Sequence, residues 1–136
     1  MSRVFIIAEA GVNHNGSLET AMRLVDAAAA AGADAVKFQT FKAEKLVTQA
    51  AAKAEYQKQT TDAGESQLDM LRKLELKYEF HVQLRDYCRR RHIEFLSTAF
   101  DFDSLRFLAD EVGVAKLKVP SGEITNGPFL LAHAET

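Results

Sequence analysis

The 136-residue sequence has one cysteine, Cys88, so no disulfide can form within the chain. Its setting among Leu84, Tyr87 and Ile93 predicts a packed, reduced thiol and a cytoplasmic protein. No apolar run is long enough to span a bilayer. Arg3 leads straight into Val4-Phe5-Ile6-Ile7, without the long apolar region of a signal peptide, so no membrane partner is expected. An excess of one charge is also lacking. A net charge of −2 leaves no polyanion footprint, and nucleic acid is not an expected partner. The basic run Arg89-Arg90-Arg91 falls at the end of a helical pattern, where cations complement the helix dipole. Neither GxGxxG nor GxxxxGK[ST] is present, the phosphate loops that an open doubly wound sheet carries after its first strand. Histidine spacing gives no metal site either: His81, His92 and His133 lie in or beside helical segments without ligand-like spacing, and His14 is assigned no metal.

What remains is the composition of a soluble globular domain, 47% hydrophobic, with strands and helices alternating along it. Residues 4–9 predict a strand ending at Glu9, followed by the loop Ala10-Gly11-Val12-Asn13-His14-Asn15-Gly16. Ser17 is the expected N-cap of a helix whose apolar positions Leu18, Ala21, Met22, Val25 and Ala28 recur until Gly32. A second strand is expected over Ala33–Gln39. A long connection follows from 40 to 64, with room for short helical turns, and in a compact domain such a loop is more often functional than idle. Helical segments are expected at 65–76 and 79–91, broken near Lys77-Tyr78. Ile93–Ser97 is the third strand, Asp103 or Ser104 the expected cap of the next helix, and Gly113 its end. Lys116–Val119 is expected as a fourth strand stopping at Pro120, and Phe129–Ala134 as the start of a fourth helix.

Parallel strands joined by right-handed crossovers follow from this alternation. With no glycine-rich phosphate loop, a (β/α)₈ barrel is preferred to an open sheet. In such a barrel the residues facing away from the helices point inward, and chemistry gathers at the C-terminal strand ends. That parity puts Glu9, Lys37 with Gln39, Thr98 and Lys118 at inward-facing strand tips, next to loops holding Asn13, His14, Ser121 and Glu123. Lys116 and Lys118 share one face of the expected fourth strand, and two lysines on an interior face require an anion, from Glu123 in part or from a bound phosphate or carboxylate. Each polar tip could be a satisfied structural residue. A polar tip on every strand, beside two or three lysines, points to a site.

Four motifs carry a resemblance: Ala8-Glu-Ala-Gly-Val-Asn-His-Asn-Gly16, Val36-Lys-Phe-Gln-Thr40, Ser97-Thr-Ala-Phe-Asp101 and Lys118-Val-Pro-Ser-Gly-Glu-Ile-Thr-Asn126. In this order and spacing the chain resembles the sialic acid synthase family, which includes N-acetylneuraminate synthases and relatives making legionaminic or pseudaminic acid. The resemblance implies that residues 1–136 form the N-terminal half of a TIM (β/α)₈ synthase barrel, since a whole barrel takes about 250 residues. The later strands and a small C-terminal antifreeze-like domain would lie outside it. It implies condensation of phosphoenolpyruvate with N-acetylmannosamine or a related N-acetylated sugar, release of phosphate, and a homo-oligomer. A divalent metal, Mn²⁺ or Mg²⁺, is implied to polarise the sugar aldehyde, with ligands on later strands and none in this chain. By the same resemblance Lys37, Lys118, Thr98 and Ser121 would bind phosphoenolpyruvate. Gln39 and Glu123 would face the sugar, Glu123 near the reacting carbonyl, and Glu9 would be a carboxylate ordering the site. Two competing readings are a synthase acting on phosphorylated sugars, which requires a further basic cluster that the sequence does not offer, and an inactive binding or assembly module.

Overall fold

The computed structural model describes residues 3–47 and 66–136. Strands β1 (Ile7–Gly11), β2 (Ala35–Thr40) and β3 (Glu94–Ala99) pair in parallel in the order β1-β2-β3. Helix α1 (Leu18–Ala30) connects β1 to β2. Three described helices lie between β2 and β3: α2 (Ala43–Leu46), α3 (Gln67–Leu74) and α4 (Tyr78–Arg90). Beyond β3 come α5 (Phe102–Arg106), which runs on as a π-helical stretch over Phe107–Val112, a 3₁₀ turn at Ser121–Glu123, and α6 (Gly127–Ala134). Most of the long connection expected over 40–64 lies outside the described residues.

Local chemistry accounts for most element boundaries. The Ser17 hydroxyl accepts from the Thr20 N–H at 3.2 Å and starts α1, as expected of an N-cap. Ala21, Val25 and Ala28 then bury one stripe of the helix. Gly32, at φ +77°, supplies the left-handed turn that follows it. On the sheet, Val36, Phe38 and Phe95 face the helices and join Val25, Leu84, Leu105 and Leu108 in one core. Burial of each such side chain contributes about 1.5–3 kcal/mol. Opposite parity puts Lys37, Gln39 and Thr98 on the other face.

The first strand begins later than its composition suggested. Val4, Phe5 and Ile6 precede the ladder and are exposed, tied in by Asp34, whose carboxylate accepts the Ile6 N–H at 2.8 Å. The break between α3 and α4 covers Glu75–Lys77 because the Glu75 carboxylate is drawn to Lys42 Nζ at 3.0 Å and the Ala43 N–H at 2.9 Å. The cap of α5 is Asp101, not Asp103 or Ser104. Its backbone is extended and its carboxylate accepts the Ser104 N–H at 2.8 Å.

The expected fourth strand does not form: Lys116–Val119 makes no ladder with β3. The segment has a sheet neighbour on one side among the described residues, Pro120 offers no N–H, and Lys116 is engaged through its side chain by Glu94 at 2.8 Å. The parity expected of it survives. Leu117 packs against the core, whereas Lys118 stands on the inner side with Thr98.

Candidate active site

The C-terminal strand ends open into a cleft of about 380 Å³ whose lining includes Glu9, Lys37, Gln39, Thr98, Lys118 and Ser121. Parallel register explains the gathering. Glu9 stands opposite Lys37 across β1 and β2, and Gln39 opposite Thr98 across β2 and β3, so two layers of inward residues stack toward the mouth. Lys118 and Ser121 reach the same cleft from the unpaired segment and the turn after it.

Lys37 is buried at 5% exposure and its ammonium is ion-paired with the Glu9 carboxylate, which is itself half-exposed. A buried ammonium requires such a partner, and Glu9 provides it; Lys116, for which Glu123 was the expected partner, is paired with Glu94 instead. Lys118 is exposed at the cleft. Glu9, Lys37 and Lys118 together give the cleft one surplus positive charge. Thr98 is 1% exposed, and its Oγ1 has no hydrogen-bond partner among the described residues. A buried hydroxyl without a partner, on a residue that lines the same cleft as two lysines, has a proton to donate.

Glu123 is not among the residues lining the cleft. It lies on the 3₁₀ turn that begins at Ser121, and its Oε2 accepts from Asn126 Nδ2 at 2.8 Å. The loop after β1 divides Asn13 and His14 between site and core. Asn13 lines the cleft, whereas His14 is fully buried with its ring 6.1 Å from that of Phe38. His14 Nδ1 accepts the Gly16 N–H at 2.9 Å, which leaves the ring proton on Nε2, and burial pushes the imidazole pKa below its usual value. Asn13 had no assigned role from sequence; a polar residue in a loop following an inward-pointing acid was the available signal.

A β-bulge interrupts β1 between Glu9 and Gly11. Gly11 has φ +56°, and a Cβ there would stand 3.4 Å from Glu9 Oε1 and 3.8 Å from Gln39 Nε2. Glycine is required by the backbone conformation, and its bare Cα also keeps the space between the acid and the amide open.

Among the described residues, no group of three or more His, Cys, Asp or Glu side chains is placed to hold a metal ion. His81 is enclosed behind the sheet, and His133 lies on α6 with Nδ1 directed at the Phe129 carbonyl at 2.8 Å. These residues do not fit the divalent metal that the family resemblance implies, so no chemical step is assigned to one below. No described helix is long and apolar enough to cross a membrane.

Comparison with known proteins gives the family. Residues 24–136 match the model described as the NeuB family. The N,N'-diacetyllegionaminic acid synthase of Legionella pneumophila is 56% identical over 126 residues, covering 93% of this chain and 35% of that protein. The N,N'-diacetyllegionaminic acid synthase of Campylobacter jejuni is 51% identical over 130 residues, 96% of this chain and 39% of that protein. The chain thus spans less than two fifths of the length of these relatives. A crystal structure of N-acetylneuraminic acid (sialic acid) synthetase from Leptospira borgpetersenii in complex with citrate superposes with a TM-score of 0.81 at 34% identity, over 98% of this chain and 42% of that one. The parallel βα units described above are the first half of a TIM (β/α)₈ barrel.

Proposed function

The chain belongs to the NeuB family, and from that premise we propose that its gene product condenses phosphoenolpyruvate with an N-acetylated sugar aldehyde to give a nonulosonic acid and phosphate. One observation carries the reading: buried Lys37 and exposed Lys118 meet in one cleft beside the unpartnered hydroxyl of Thr98. Phosphoenolpyruvate brings a carboxylate and a phosphate to such a place. The two ammonium groups neutralise it, and Thr98 and Ser121 donate hydrogen bonds to its oxygens.

In the proposed reaction the π electrons of phosphoenolpyruvate, through C3, form the new bond to the aldehyde carbon, and the aldehyde oxygen takes a proton to become a hydroxyl. Water adds at C2. The tetrahedral intermediate collapses to the ketone as the C–O bond to phosphate breaks. Lys37 and Lys118 favour that departure because the leaving group is an anion already in contact with fixed positive charge. Glu9 holds Lys37 in place, Gln39 presents its amide to the sugar, and Glu123, on the turn that begins at Ser121, is assigned to the sugar carbonyl.

As substrate we propose a diacetamido sugar rather than N-acetylmannosamine. This rests on the relatives: the two named diacetyllegionaminic acid synthases exceed 50% identity, whereas the sialic acid synthetase stands at 34%. A cytoplasmic homo-oligomer is part of the same reading. The test is phosphate release from phosphoenolpyruvate by the full-length gene product, with a 2,4-diacetamido sugar, N-acetylmannosamine and a phosphorylated sugar compared. Release fastest with the diacetamido sugar is expected. Fastest release with N-acetylmannosamine overturns the choice of sugar; release with the phosphorylated sugar alone, or with none, overturns the assignment.

A further inference from the structure

Directly behind the cleft, on the helix-facing side of the sheet, three buried polar side chains form a chain of hydrogen bonds. His81 on α4 is fully buried. Its Nδ1 lies 3.0 Å from the Lys77 carbonyl, which can accept but not donate, so Nδ1 carries the proton. Nε2 is then an acceptor and receives the Thr40 hydroxyl at 2.8 Å. Thr40 Oγ1, having given its proton to His81, accepts from Ser97 Oγ at 2.6 Å. Every donor in the relay therefore has a direction fixed by one backbone carbonyl. Phe95 and Phe107 meet the imidazole edge-on, their centroids 6.4 and 5.6 Å away, and leave it little freedom to turn.

Thr40 and Ser97 are the immediate neighbours of Gln39 and Thr98. In a strand, adjacent residues project to opposite faces, so a side chain pinned behind the sheet fixes the orientation of the next one in front. We propose that His81 is a positioning residue that, through Thr40 and Ser97, holds the tips of β2 and β3 and thereby sets where Gln39 and Thr98 stand in the cleft. The consequence for turnover rests on the function proposed above; the consequence for geometry does not.

The test uses the full-length gene product. Long-range ¹H–¹⁵N correlations at pH 7 are expected to show His81 as the Nδ1–H tautomer with an accepting Nε2; a proton on Nε2, or a cationic ring, overturns the relay. Thr40→Val is expected to displace the side-chain amide resonances of Gln39 and the methyl resonance of Thr98, and Ser97→Ala to do so more mildly should the first variant fold poorly. Val25→Ala, a core change outside the relay, serves as the stability-matched control and is expected to leave both resonances in place. In kinetics, Thr40→Val is expected to lower kcat/KM about tenfold, with Val25→Ala unchanged and His81→Gln, which keeps an acceptor for Thr40, largely preserved. Equal behaviour of Thr40→Val and Val25→Ala in the resonances reduces His81 to packing and sinks the proposal. An inactive wild type with the resonance shifts intact would instead remove the function while leaving the positioning role standing.

Discussion

Thr40 and Thr98 occupy the tips of neighbouring strands and are buried to the same degree, at 0% and 1% exposure. Thr40 faces the helices and its hydroxyl is engaged on two sides. Thr98 faces the cleft and its hydroxyl has no partner among the described residues. The same contrast holds for the residues around each threonine. Behind the sheet the polar groups of His81, Thr40 and Ser97 close on one another; in front, Lys37 is paired with Glu9, Lys118 is exposed, and the Thr98 hydroxyl is buried without a partner among the described residues. Burial alone therefore does not separate these two threonines, whereas completion of their hydrogen bonds does; the core imidazole of His14 also keeps an unpartnered Nε2 among the described residues.

The strongest way to break this comparison is at the buried cation of the open face. Lys37→Met is expected to lower kcat/KM for phosphoenolpyruvate by about a hundred- to a thousandfold, measured by phosphate release. It should cost little stability, because the Glu9 carboxylate left behind is half-exposed and can be solvated. A variant that unfolds but retains turnover when folded would place Lys37 on the structural side.

The closed face is probed by acid. Burial pushes the His81 pKa down from 6.5 to about 4, and the nearby His14 and Lys42 act in the same direction. The fold keeps the ring neutral, so above pH 6.5 folding carries no protonation cost. As pH falls from 6.5 toward 4 the unfolded chain takes up a proton that the fold refuses, and stability drops by about 3 kcal/mol before levelling off. Urea denaturation across this window should show the loss, and His81→Gln should flatten it. An unchanged slope in the variant would mean that other groups govern the acid limb.

The threonines themselves give the smallest and sharpest contrast. Thr40→Val strands His81 Nε2 and the Ser97 hydroxyl and is expected to cost about 1–3 kcal/mol. Thr98→Val removes a hydroxyl that has no partner among the described residues, so stability should stay within about 0.5 kcal/mol while phosphoenolpyruvate binding weakens about tenfold. Thermal unfolding and calorimetric titration on the same two proteins decide it. Equal stability losses would erase the distinction between the faces.

Much of this was legible from residue order. Ser17 as a cap, the termination at Gly32, and the inward parity of Glu9, Lys37, Gln39 and Thr98 follow from local pattern, since a strand alternates whatever surrounds it. Lys116–Val119 shows the limit of that logic: alternation sets which way side chains point, but a ladder also needs a partner strand in register. The cap of α5 escaped because Asp101, Asp103 and Ser104 all present suitable oxygens, and only the extended backbone at Asp101 selects among them. The relay escaped because its bonded members are 41 and 57 residues apart. Its trace in the sequence was Thr40 and Ser97 sharing parity with Val36, Phe38 and Phe95, polar residues on an apolar face that required partners. Asn13 and His14 are adjacent with no local difference between them; the turn back at Gly16 sends one forward and the other into the core.

The bulge in β1 has a consequence for how the site can change. At Gly11 the strand gives up a side chain where Glu9 and Gln39 approach from different strands, so the acid that balances Lys37 and the amide assigned to the sugar border one shared void. A Cβ added at residue 11 would touch both at ordinary contact distance, 3.4 and 3.8 Å, and the left-handed backbone is what resists it. On the proposed function, the part of the cleft that holds the anion and the part that chooses the sugar therefore border the same small volume, and a side chain entering it meets both.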